Sequence, residues 1–165
     1  VGSKVGLDMY LYRREYISGW DWNDNPKEMK MYSDILEYTG AERCVGSPHA
    51  QVEICVAYWR KANAIHGYFV NECGGGVDEC QSIYVSKGDL ERLHQACNNV
   101  LMAPAGIKLE DTAAQYGLLP TQGFFFGSYE MDSYYMEDLK NTMMQIENVL
   151  SSAGEYSDFI YRASW

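Results

Sequence analysis

The chain has 165 residues with 13 basic and 23 acidic side chains, a formal charge of −10 and a pI near 4.6. Duplex nucleic acid is held by clustered Lys and Arg, and the only adjacent basic pairs are Arg13-Arg14 and Arg60-Lys61, so that partner is excluded as an expectation. A composition of 47% hydrophobic and 14% aromatic residues, including 14 Tyr, excludes a disordered tail, and the length suits one domain that needs no disulfide or metal to fold.

Val1 to Lys4 reads as a leader or an expression remnant, which leaves 5–165 as the domain. Leu7, Met9 and Leu11 alternate with Asp8, Tyr10 and Tyr12, the period of a half-buried strand. Gly19 to Ser47 reads as a turn, a second short extended or helical piece and a loop. Ser47-Pro48 supplies an N-cap and a first-turn proline, which predicts a long buried central helix from Pro48 to Asn71. Its apolar residues cover nearly every side, as on a helix packed all round. Cys73-Gly74-Gly75-Gly76 ends it, and Ile83-Tyr84-Val85 is a short β-prone run.

Ser86 with Asp89 three residues on predicts a capped second helix carrying Leu90, Leu93, Cys97, Val100 and Leu101. Ala103 to Gly117 reads as an irregular or short helical insertion, and Leu119 to Gly123 as a turn into Phe124-Phe125-Phe126. Asp132 caps a third helix with Tyr135, Leu139, Met143, Ile146 and Leu150 at helical spacing. Phe159 to Trp165 is β-prone and apolar enough to join the first strand in a sheet. Strands and helices in no regular βαβ order predict a single α+β domain, the central helix packed on a small sheet with two further helices.

Five Cys at 44, 55, 73, 80 and 97 form no regular framework, and no signal peptide or long apolar run is present, which points to a reducing cytosol and away from a membrane. The pairs Cys44-x4-His49, Cys73-x6-Cys80 and His94-x2-Cys97 are too loose for zinc, so no metal site is expected. No motif calls for a cofactor.

Four ordered blocks give the chain a likeness: Gly6-Leu7-Asp8-Met9-Tyr10-Leu11, Tyr58-Trp59-Arg60-Lys61-Ala62-Asn63-Ala64-Ile65-His66, Leu119 to Gly127, and Tyr161-Arg162-Ala163-Ser164-Trp165. In these it resembles a small family of uncharacterised proteins of tailed phages and prophages. That family opens at Met-Gly-Leu-Asp where this chain has Val5 before Gly6, and the stretch from Ala103 to Gly117 is atypical of it. The resemblance implies a phage or prophage gene, hence host or bacterial cytoplasm, and no chemistry. Some members carry the label phosphoglycerate kinase; this chain is far shorter than that two-domain enzyme and has no phosphate loop of the required form.

On the expected helix, Trp59, Asn63 and His66 share a face at i, i+4 and i+7, with Arg60 adjacent. Buried Asn, His and Arg need partners, and Asp8, Gln122, Ser164 and the carboxylate after Trp165 are the candidates. Two readings stand side by side. One is an internal network that fixes strand, helix and the Phe-rich turn. The other is a pocket in which Arg60 and Lys61 face an anion, Asp8, Asn63, His66 and Gln122 make hydrogen bonds, and Tyr10, Tyr58, Trp59, Phe124 and Phe126 supply an aromatic wall. Aromatic faces stack on bases, so the expected ligand is a small anion of the nucleotide class, such as a host-defence signal that a phage protein sequesters. The rivals are a protein-interaction module working through Trp20 or Trp22, and an unassigned hydrolase with His66 as base, oriented by Asp8 or Asp132, and Cys80 or Ser164 as nucleophile. The sequence leaves oligomeric state open, homo-oligomer included.

Overall fold

Residues 5–123 and 125–165 are described here from a computed structural model. The alternation from Leu7 onwards forms β1 (Asp8–Ser18), with Met9 and Leu11 fully buried on one face and Tyr10 and Tyr12 half-buried on the other. Gly19 follows, where an added Cβ would stand 2.3 Å from the Tyr32 ring; the missing side chain lets α1 (Pro26–Thr39) close on the end of β1. The Asn25 side chain caps α1 by accepting from the backbone N–H groups of Lys27 and Glu28, and Gly40 at φ 69° ends it.

The helix expected from Pro48 to Asn71 is a strand for half of its length. β2 runs over His49–Arg60, and helix is confined to α2 (Asn63–Tyr68), which widens into a π turn over Phe69–Cys73. An apolar segment of this length fits a buried helix or a strand equally by periodicity, and β-branched residues arbitrate. Val52 and Ile54 pair with Glu15 and Arg13 of β1, Val56 falls at the irregularity opposite Leu11 and Tyr12, and Lys61 at φ 56° breaks the strand before α2 begins.

β3 (Ile83–Val85), α3 (Lys87–Leu101), α4 (Leu109–Gln115), α5 (Ser133–Ser152) and β4 (Asp158–Ser164) complete the order. Ser86 and Asp89 form the expected capping box, and Asp132 caps α5 through the N–H groups of Tyr134 and Tyr135. At the other end of α5, Arg13 Nη1 donates to the Ser152 carbonyl at 3.2 Å, a cation where the helix dipole favours one.

The four strands make one antiparallel sheet in the order β2-β1-β4-β3, so the expected pairing of first and last strands is present. The fold is α+β with a single buried cluster. Met9, Leu11, Trp59, Phe159 and Tyr161 line the inner sheet face and pack with Ile65, Phe69, Leu90, Leu93, Leu139 and Ile146 of the helices. Trp59 is pinned there by its Nε1–H to Thr142 Oγ1 of α5 at 2.9 Å, and Phe69 stacks on Tyr161 at 4.2 Å. Among the described residues no helix is long and apolar enough to cross a membrane, and the five Cys are free thiols.

Candidate functional site

Residues 58–63 pass from an alternating strand to a helix, and that change of period separates side chains that one helix would have gathered. Tyr58 and Arg60 point to the open sheet face, and Trp59 points into the core. The shared helical face of Trp59, Asn63 and His66 therefore does not exist. The expected site residues fall into four places.

On the open sheet face, Asp8 accepts the Tyr58 hydroxyl at 2.5 Å and Arg60 Nη1 at 2.8 and 3.1 Å, with the Tyr10 ring 5.4 Å from Tyr58. The carboxylate beside it raises the Tyr58 phenol, so the hydroxyl stays a donor. Much of the Arg60 charge is already matched here.

At the start of α2, Asn63 is buried and fully engaged. Its Nδ2 donates to the carbonyls of Phe126 at 3.1 Å and Ser128 at 2.8 Å, and its Oδ1 accepts from the Thr121 N–H at 3.1 Å. One amide thus holds both ends of the turn from Thr121 to Ser128. A turn later His66, 1% exposed, lies between Asp78 and Tyr161. Its Nε2 is 2.9 Å from Asp78 Oδ2 and its Nδ1 is 2.6 Å from the Tyr161 hydroxyl. The carboxylate can only accept, so Nε2 carries the proton and Nδ1 accepts from the phenol, which burial keeps protonated. Trp165 Nε1 also donates to Asp78, at 3.2 Å, and Phe126 meets the imidazole edge-to-face at 5.1 Å. The orienting acid of His66 is Asp78, not Asp8 or Asp132, and both ring nitrogens are committed.

Gln122 lines a separate hollow with Leu119, Pro120 and Tyr129. Phe124 lies outside the described residues.

The cleft that the structure does form sits where Lys61 and the Asn63-held turn face the start of α5. It holds about 300 Å³ between Arg60, Lys61, Gly127, Ser128 and the α5 residues Tyr134, Tyr135 and Asp138, with Glu130 and Asp132 at its side. Gly127, at φ 90°, packs within 3.3 Å of the Lys61 side chain where a Cβ would stand, so this wall requires glycine. Lys61 makes no ion pair among the described residues. Burial, then the nearby Asp132 carboxylate, push the Asp138 carboxyl up to about 6. Sequence reasoning used Asp132 as a cap and as a candidate orienting acid for His66, and missed Asp138. The signal was present: Asp138 lies four residues before Thr142 and three after Tyr135, on the edge of the α5 stripe that packs inward.

The raised carboxyl makes a test. A folded-state value above the ordinary 3.8 means that ionisation opposes folding, so the group costs nothing below pH 3.8 and costs most above pH 6. Asp138→Asn is expected to stabilise the protein at pH 8 by about 1 to 2 kcal/mol, discounted for its partial exposure, and to change it little at pH 4. Thermal unfolding at the two pH values checks this.

Compared with protein-family models, curated proteins and solved structures, the chain has no match.

Proposed function

We propose that the chain binds a small nucleotide-class ligand in the cleft between Lys61 and α5, as a phage accessory protein that sequesters its ligand. The observation that carries this reading is the pairing of Lys61, which has no ion pair among the described residues, with a half-buried carboxyl, Asp138, across one cleft beside the largely exposed Tyr134 ring. Two cations against the three carboxylates Glu130, Asp132 and Asp138 leave the lining at −1, which disfavours a bare anion. A nucleotide uses both signs: phosphate on Lys61 and the outer edge of Arg60, base amines on Asp138, and the base plane against Tyr134. About 300 Å³ is at the lower end for ligand sites, which suits a mononucleotide rather than a larger oligonucleotide signal. The four sequence blocks shared with the phage family support the biological setting.

Thermal shift against mono-, di- and cyclic nucleotides tests it. At a hundredfold excess over Kd, a ligand adds about 2.7 kcal/mol, or roughly 5 to 10 °C in Tm for a chain of this size. Lys61→Gln and Asp138→Asn, which leave the core untouched, are expected to remove the shift. The shift also weakens below pH 6 as Asp138 takes up its proton and becomes a poorer, uncharged acceptor for the base amines. No shift with any mononucleotide overturns the proposal, and ligand recovered chemically altered replaces sequestration with turnover.

One observation favours a second reading. Trp20 and Trp22 stack at 4.3 Å with Trp22 74% exposed, the kind of aromatic anchor that protein interfaces use. Under that reading nucleotides give no shift, and Trp22→Ala abolishes capture of a protein partner.

A further inference from the structure

We infer that a second cleft, between α3, α4 and the π turn at Phe69–Cys73, binds a small neutral sugar. It holds about 390 Å³, at the lower end for ligand sites, which suits one or two sugar rings. Tyr68 lines it. That residue is 6% exposed, yet its hydroxyl makes no hydrogen bond among the described residues, where buried polar groups ordinarily have one. The hydroxyl is not among the partnerless atoms sealed from solvent, so it opens onto the cleft that its ring lines. Burial, then Glu72, push the phenol up to about 12, which keeps it a donor. Gly117, at φ 71°, stands where a Cβ would lie 3.4 Å from Glu72 Oε1 and 3.7 Å from the Tyr68 ring, so the chain passes both without a side chain to cover them. This cleft and the one at Lys61 share no lining residue among those described.

The lining offers donors and acceptors in turn. Glu72, from the π turn, makes no ion pair among the described residues and can only accept. The Gln95 amide donates to Asn99 Oδ1 at 2.8 Å, which leaves Gln95 Oε1 to accept and Asn99 Nδ2 to donate. Gln115 adds a third amide, and the half-buried Tyr116 an aromatic wall. Charge disfavours ions of either sign. The Arg92 guanidinium is already paired with Asp89, so it offers an anion little, while Glu72 repels one. The same guanidinium repels a cation, and among the described residues no cluster of His, Cys, Asp or Glu could hold a metal. An apolar ligand would strand the Tyr68 hydroxyl and the amides. What fits is a molecule with several hydroxyls, each able to donate and accept, and a ring whose C–H face can lie on Tyr116.

Two-dimensional NMR of the isotope-labelled full chain tests this by titration with D-glucose, D-galactose, D-mannose, N-acetyl-D-glucosamine and maltose. At least one of them is expected to shift the backbone amide signals of Tyr68, Glu72, Asn99 and Gly117 saturably. Tyr68→Phe, which removes a hydroxyl that holds nothing in the fold, is expected to weaken binding of that sugar about fivefold at an unchanged melting temperature, and Glu72→Ala to weaken it about tenfold. Tyr38→Ser, on the 93% exposed end of α1, is expected to bind as the parent does. The absence of a saturable shift at these signals with every sugar overturns the inference, as does a Tyr68→Phe variant that binds as tightly as the parent. A Tyr68→Phe variant that melts several degrees lower also overturns it, since the hydroxyl would then have its partner inside the protein. So does a shift of the same signals by acetate or ethylamine where the sugars give none.

Discussion

Asn63→Asp is expected to destabilise the protein by about 3 kcal/mol, because it turns a donor aimed at one buried and one part-buried carbonyl into an acceptor. The Phe126 and Ser128 carbonyls, at 3.1 and 2.8 Å, lose their partner and meet a carboxylate oxygen instead. Protonation restores one donor, so the penalty should shrink at low pH, which urea unfolding at pH 4.5 and 7.5 would show. Equal penalties at both would mean that the turn re-forms without the amide. Because the turn supplies Gly127 and Ser128 to the cleft, hydrogen exchange from Thr121 to Ser128 should rise in this variant before global unfolding.

The second large effect is at His66. His66→Ala is expected to cost about 3 to 4 kcal/mol, from the cavity left against Phe126 and from a Tyr161 hydroxyl stranded in the core. Tyr161→Phe alone should cost about 1 kcal/mol, since it also strands a nitrogen. The double variant separates the two terms. With the hydroxyl absent, His66→Ala should cost less by about 1 to 2 kcal/mol, a coupling that chemical unfolding can resolve. Strict additivity would mean that the 2.6 Å contact contributes nothing.

These two side chains also show how far the sequence could be read. Buried polar residues at 63 and 66 had to find partners, and the network reading of them follows from chemistry alone. Their partners were not legible. Asp78, Tyr161 and the Phe126 and Ser128 carbonyls lie 12 to 95 positions away, and nothing in one sequence states which distant segments meet. The first and last strands, the capping box at Ser86 and the Asp132 cap were legible because each signal is local. The segment from His49 to Arg60 failed for a definite reason. Ser47-Pro48 imitates a helix start, and the continuous apolar run from Ile54 to Trp59 in the second half of β2 imitates a helix that is buried all round. The error then spread to the site: Tyr58, Trp59 and Arg60 were expected around one pocket, whereas the pleat sends Trp59 to the opposite face.

β4 lies inside the sheet, between β1 and β3, and it aligns Asp8 with Ser164, 156 positions later. During synthesis β1 can pair with β2 alone and must then wait for its other neighbour. At roughly 5 to 20 residues per second, the interval lasts several seconds or more, and through it Met9 and Leu11 have no β4 beside them. The sheet therefore closes late, in a step that joins the two most distant parts of the chain and that topology makes slow. The nascent protein is most open to chaperones and proteases in that interval, and a ribosome stalled before residue 158 would carry a chain that cannot complete its core.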